Sequence, residues 1–165
     1  METLVNALVG ALNGVNKEAV IFIISLLPIL ELRGGLIAAS LLNVNIYKAL
    51  VICFIGNILP IPLVLMLLNK IFDLLRRWKL TQKLVNWLEK KLLSKRSQLD
   101  KYGYLGLLLF VGIPLPGTGA WTGSGLAVLL GLDRKKSFLF IILGVLLAEL
   151  IMGIFSYGIL GNLIR

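Results

Sequence analysis

Glu31 and Arg33 stand two residues apart inside an apolar run over residues 19–42, and Glu149 stands alone in another over 137–164. A charge at the centre of a bilayer costs roughly 2.5 to 3.5 kcal/mol on insertion scales, so such residues need protein or water around them. Their chemistry would be that of a polar site at membrane depth. Arg33 is a bidentate donor suited to a carboxylate or a phosphate headgroup. Glu31 and Glu149 could differ in protonation at neutral pH, which is the difference proton coupling needs. Asn57, Thr118, Thr122 and Ser124 could hydrogen-bond a polar group in the same cavity, with Trp121 beside them. Glu31, Arg33, Asn57, Thr118, Trp121, Thr122 and Ser124 are therefore the candidate substrate-binding residues, and Glu31 and Glu149 the candidate ion-coupling pair. The blander readings are an interfacial position reached by snorkelling, or an internal ion pair that only holds the structure together.

Other chemistry is excluded by residue type. There is no histidine, the single Cys53 lies in an apolar run, and no Asp falls in the apolar segments. No disulfide forms within one chain, and neither a zinc or haem site nor a Ser-His-Asp or Cys-His arrangement can be built. An enzyme is not expected, nor any metal or cofactor.

The elements that must position these residues belong to a membrane. Of 165 residues, 58% are hydrophobic, with mean hydropathy +0.94; a soluble domain is typically ~45 to 50% apolar. Residues 1–16 carry Glu2 but no Lys or Arg, so no cleaved signal peptide is expected, and they are too short to span; an interfacial helix fits them. Residues 17–69 hold the apolar run broken by Pro28, Gly34 and Gly35, then a spanning segment kinked by Gly56, Pro60 and Pro62. Residues 70–101 hold 10 of the 17 basic residues, and the apolar positions Ile71, Leu74, Leu75, Trp78 and Leu84, Val85, Leu88, Leu92 recur at helical spacing. A basic amphipathic linker helix on the cytoplasmic surface follows, rather than a nucleic-acid site for the net charge of +9. Residues 102–165 begin with 31 uncharged residues. A straight helix of that length would reach ~46 Å, but Pro114, Pro116, Gly117, Gly119 and Gly123 break it into two half-length arms. A last apolar span follows the cluster Arg134-Lys135-Lys136.

The chain repeats itself. A shift of 88 residues aligns Phe22 with Phe110, Pro28 with Pro116, Gly35 with Gly123, Lys48 with Lys136 and Gly56 with Gly144, among 10 identities in 38 ungapped positions. Each half is a Pro/Gly-broken segment followed by a spanning helix. If 102–132 crossed the bilayer, the cluster at 134–136 would lie opposite the basic linker, against the positive-inside rule. If it dips in and returns, both are cytoplasmic, and one span per half then inverts the second half relative to the first. The expected fold is all-α: an inverted repeat, each half a re-entrant hairpin plus one transmembrane helix, forming a single domain of the cell membrane. So little core per chain favours a homodimer.

The motifs Pro28-Ile29-Leu30-Glu31-Leu32-Arg33-Gly34-Gly35 and Ile113-Pro114-Leu115-Pro116-Gly117-Thr118-Gly119-Ala120-Trp121-Thr122-Gly123 resemble those of the small multidrug export protein family of bacteria and archaea. The resemblance covers nearly the whole chain. More distantly, the arrangement resembles the DedA/VTT superfamily, whose members carry two opposed re-entrant hairpins and include proteins proposed to move polyprenyl-phosphate or phospholipid. There an acidic residue follows the first hairpin's proline turn, as Glu31 follows Pro28. The arginines flanking that superfamily's second proline are replaced here by Gly112, Ala120 and Trp121. The resemblance implies a transporter or lipid-flippase-like protein, ion-coupled, moving a small amphiphilic or anionic-headgroup substrate between two hairpins, with membrane lipid as its other partner. The alternative is a membrane scaffold that docks partners through the basic linker.

Overall fold

The computed structural model describes residues 16–94 and 96–160, so the interfacial helix expected over 1–16 lies, but for Asn16, outside the described residues. Among those described, every regular element is helical: α1 (Lys17–Leu26), α2 (Glu31–Leu41), α3 (Ile46–Ile58), α4 (Ile61–Arg76), α5 (Lys79–Leu93), α6 (Arg96–Gly112), α7 (Ala120–Leu129) and α8 (Arg134–Gly153). A π-helical segment, Ile154–Leu160, continues α8. Among the described residues, two stretches are long and apolar enough to cross a bilayer, Ile46–Arg76 with 31 residues and Arg134–Gly158 with 25. The first is interrupted at Leu59-Pro60, where Pro60 and Pro62 lack the amide donors a continuous helix needs. α1 and α2 have 10 and 11 residues, so each rises ~15 Å, half of a ~30 Å hydrocarbon core.

The chain forms two compact units: one holds the chain up to Pro60 and from Val145 onward, the other Ile61–Gly144. In the first unit α1, the turn at residues 27–30 and α2 make a hairpin whose ends are tied together. Lys17 Nζ donates to the Leu42 carbonyl at 3.0 Å, and Glu18 pairs with Lys48 at 3.0 Å. α3 packs on both arms. In the second unit the apolar arm Tyr102–Gly112, the turn at 113–119 and α7 make another hairpin. Its ends also meet, the Asp133 amide donating to the Tyr104 hydroxyl at 3.1 Å.

The turn that leaves each hairpin is built the same way 88 residues apart. After α2, Val44 N–H donates to Ala39 O and Asn43 is left-handed, with φ 53°; after α7, Leu132 N–H donates to Ala127 O and Gly131 has φ 67°. This is the Schellman arrangement, which needs a residue tolerant of positive φ. Asn45 then caps α3 by accepting from Tyr47 N–H, and Asp133 caps α8 by accepting from Lys136 N–H.

Two sequence expectations change. The linker is not one helix over 70–101: α4 runs on to Arg76, a turn follows in which the Thr81 hydroxyl donates to the carbonyls of Leu75 and Trp78, and α5 starts afresh. α6 then begins at Arg96 and kinks at Gly103, whose φ of 56° no helix interior accepts. α5 does not lie free on a surface; it packs on α4 and α7, with Leu92 against Gly125, while Leu84 and Trp87 stay exposed. Gly34, Gly35 and Gly123 were expected to break the hairpins, yet they lie inside α2 and α7. The turns themselves hold Pro28, Pro114, Pro116, Gly117 and Gly119, the two glycines at positive φ.

The helical glycines serve close approach instead. A Cβ on Gly35 would lie 1.9 Å from Ser25 Oγ and 2.8 Å from Cys53 Sγ; on Gly56 it would meet the Phe22 carbonyl at 2.9 Å. In the second unit a Cβ on Gly123 would lie 2.7 Å from Val111, and one on Gly144 would lie 2.8 Å from the Leu108 carbonyl. Without a net hydrophobic drive between helices in lipid, such small-residue contacts are what let them pack. Gly35→Ala should therefore destabilise the protein by ~1 to 3 kcal/mol through overpacking. Gly153→Ala, whose new Cβ would touch only Leu50 at an ordinary 3.5 Å, should be neutral or stabilising by up to ~1 kcal/mol from helix propensity. Thermal unfolding of the two variants in detergent checks this, and equal midpoints would contradict the packing.

Candidate functional site

The first unit collects the charged candidates. Glu31, Arg33 and Glu149 are 4%, 7% and 7% exposed and Asn57 is fully buried, so none of them snorkels to a surface of the unit. Glu31 opens α2 directly after the Pro28 turn, with φ 51°. A left-handed residue other than glycine costs roughly 1 to 2 kcal/mol, and such strain recurs where a side chain must be held in place. Its amide donates to the Leu27 carbonyl at 2.9 Å, which closes the turn. The Glu31 carboxylate acts electrostatically on the Arg33 guanidinium, so these two charges compensate each other within one turn of helix.

The depth of the remaining groups follows from helix register. Gly35 of α2 faces Cys53 of the antiparallel α3. One turn before Gly35 is Glu31 and one turn after Cys53 is Asn57, so Glu31 and Asn57 lie at the same level. The chain after Val145 also runs antiparallel to α3: the Tyr157 hydroxyl donates to the Val44 carbonyl at 2.8 Å, Gly153 lies by Leu50, and Glu149 is within electrostatic range of Cys53. That register puts Glu149 at about the level of Cys53, one helical turn from Asn57. Glu149 Oε1 and both polar side-chain atoms of Asn57 are buried with no hydrogen-bond partner among the described residues. A buried polar atom without a partner costs ~1 to 3 kcal/mol, so natural structures keep few of them.

The remaining candidates belong to the second unit. Thr118 closes the 113–119 turn, its hydroxyl donating to the carbonyls of Leu115 at 2.8 Å and Ile113 at 3.1 Å. Ser124 donates to the Trp121 carbonyl at 2.9 Å. Their protons are thus committed to backbone, leaving only lone pairs for a ligand. Trp121 and Thr122 are half-buried in the first turn of α7. The same hairpin carries an apolar groove of 160 Å³ between Tyr102 and Thr118, floored by Gly106 and walled by Leu109, Phe110, Ile113 and Leu115.

Ser25, Cys53 and Ser156 also lie in the first unit's interior, although sequence reasoning left the two serines aside and read Cys53 as core. Ser25 is hydrogen-bonded to Cys53 and donates to the Ile21 carbonyl at 2.7 Å, while the Ser156 carbonyl accepts from Ser40 at 2.7 Å. The readable signal was the spacing of Cys53 and Asn57, four apart on one face of α3. Hydroxyls bonding back to their own helix, as Ser25 does, leave no signal in the sequence.

The Glu31 to Arg33 coupling makes a stability prediction. Arg33→Leu should cost ~3 to 5 kcal/mol by leaving Glu31 buried and uncompensated, and adding Glu31→Gln should recover much of that loss, whereas adding Glu149→Gln should not. Thermal unfolding of the two double variants decides it, and rescue by Glu149→Gln instead would reassign the pair.

Residues 31–151 match the model of the family described as "Putative small multi-drug export protein". The match begins at Glu31 and takes in Arg33, Asn57, the whole second hairpin and Glu149. No curated protein and no solved structure matches the chain. With more than half of its length covered by the family model and two helices able to cross a bilayer, the chain is a membrane protein that belongs to this small multi-drug export family.

Proposed function

We propose that this protein is an ion-coupled membrane transporter for a small amphiphilic substrate. The observation that carries the reading is the interior of the first unit, where Glu31, Arg33, Asn57 and Glu149 are all buried among apolar helices. Ionisable residues at membrane depth are costly, and where they occur they mark substrate and ion pathways. In this reading the two hairpins are re-entrant. Each has arms of about half the bilayer thickness, and its entry and exit are tied together, Lys17 to Leu42 and Tyr104 to Asp133. Backbone that turns back inside a bilayer is tolerated where protein or water covers it.

The same reading gives the halves opposite orientations. With Ile46–Arg76 and Arg134–Gly158 as the spans, Lys48 lies on the outer side, and the basic α5 and the Arg134-Lys135-Lys136 cluster lie together on the cytoplasmic side. The recurrence of one turn geometry 88 residues apart supports a repeat, and an inverted repeat is the plan on which many secondary transporters are built. The groove along the second hairpin, with a lining that is almost entirely carbon, suits the tail of an amphiphile. A scaffold role for α5 is less well supported, because part of that helix is used in packing on α4 and α7.

Reconstitution tests the function. Liposomes holding the protein and a self-quenching amphiphilic dye should release it when a pH gradient is imposed, and protein-free liposomes should not. Pro114→Ala with Pro116→Ala restores two amides to the second turn, lets the hairpin straighten, and should lower the flux about tenfold or more while insertion survives. Full flux in the double variant, or equal leakage from empty liposomes, would contradict the proposal.

A further inference from the structure

The charges inside the first unit do not balance. The Glu31 carboxylate acts electrostatically on Arg33 at the start of α2, and Glu149 is a second carboxylate whose Oε1 has no hydrogen-bond partner among the described residues. About one helical turn further along α3 from its level stands Asn57, fully buried, with both its carbonyl oxygen and its amide nitrogen without a partner among the described residues. A carboxylate and a carboxamide oxygen together form an acceptor-rich cluster in an apolar surround. When Glu149 is ionised this interior carries one net negative charge, and when it is protonated the interior is neutral.

We propose that Glu149 and Asn57 form a cation site that holds either a proton or the positively charged head of an amphiphile. The substrate class is then a cationic amphiphile exchanged for protons. This rests on the transport reading and narrows it.

Three alternatives fit less well. A divalent metal ion needs about six or more oxygen ligands, and the described residues contain no group of three His, Cys, Asp or Glu able to hold one. An anionic headgroup would have to displace Glu31 from Arg33 and add a second negative charge near Glu149. A small inorganic cation would lose its hydration to few replacement ligands, whereas a quaternary ammonium is large, weakly hydrated and attached to carbon that gains from burial. The exchange balances: the carboxylic acid gives its proton to the aqueous phase as the ammonium arrives, and takes one back as it leaves.

Among the described residues, the other titratable groups of the unit are engaged elsewhere or exposed: Lys17 donates to the Leu42 carbonyl and Tyr47 is exposed. Cys53 is hydrogen-bonded to Ser25 and Tyr157 to the Val44 carbonyl. Glu31 and Arg33 interact electrostatically, and Lys48 pairs with Glu18 at the surface end of α3.

Calorimetric titration of the full-length protein in zwitterionic lipid nanodiscs, with decyltrimethylammonium against decanesulfonate, tests the proposal with two probes of equal chain and opposite charge. In the acid part of a pH series, where Glu149 is protonated in the free protein, the ammonium should bind and release about one proton per molecule, and it should bind more weakly as pH falls further and protons compete; Glu149→Gln should weaken it about tenfold or more and abolish the proton release. Asn57→Leu should weaken it with proton release retained. Sulfonate binding that equals ammonium binding, ammonium binding without proton release, or no ammonium binding at all would each overturn the site. Should Glu149→Gln fail to fold, the matched probes and the proton count on the unaltered protein still decide. In the liposome assay, flux of the sulfonate alone would keep transport and overturn the cation site. Proton-linked ammonium binding without flux of either probe would support the site and bring down the transport reading.

Discussion

A charge taken out of water must be met by another charge, a dipole or a proton, and the first unit is arranged around that requirement. Glu31 is forced into a left-handed conformation at the mouth of α2, where its carboxylate acts on Arg33 two residues on. This lets a guanidinium sit inside an apolar body. Glu149 Oε1 has no hydrogen-bond partner among the described residues, and in the proposed reading a proton or another cation takes that place. In that reading the asymmetry between the two carboxylates, rather than the presence of either, sets the chemistry of the site.

The scaffold meets a second constraint, that half-length helices must be held by contacts other than the hydrophobic effect. Glycines do this at equivalent places in both units. Gly35 and Gly56 bring α2 and α3 against α1, and Gly123 and Gly144 admit Val111 and the Leu108 carbonyl. Close approach also explains why polar groups survive there. Ser25 is pressed between Gly35 and Cys53 and can satisfy its hydroxyl on the Ile21 carbonyl without leaving the core.

Much of this was legible in the sequence because it rests on residue type. Charges in apolar runs identified Glu31, Arg33 and Glu149, prolines identified both turns, and the 88-residue shift aligned the two halves, although the turn geometry shared by 43–45 and 131–133 is seen only in the structure. What was not legible depends on tertiary contact. Glycine within an apolar segment reads as a break, and only neighbours such as Cys53 and Val111 show that Gly35 and Gly123 belong to helix interiors. The linker's apolar positions on either side of Arg77-Trp78 both keep helical spacing, so the interruption there left no clear mark in the pattern.

The central claim is that each half enters the bilayer as a returning hairpin and crosses it once, so that the two halves face opposite ways around buried charge. Single cysteines placed at Lys48 and Lys135, in a Cys53→Ser background, report this most directly when intact cells and inverted vesicles are treated with a membrane-impermeant thiol reagent. The account predicts labelling of position 48 from outside only and of position 135 from the cytoplasmic face only. Labelling of both positions from the same side would contradict it.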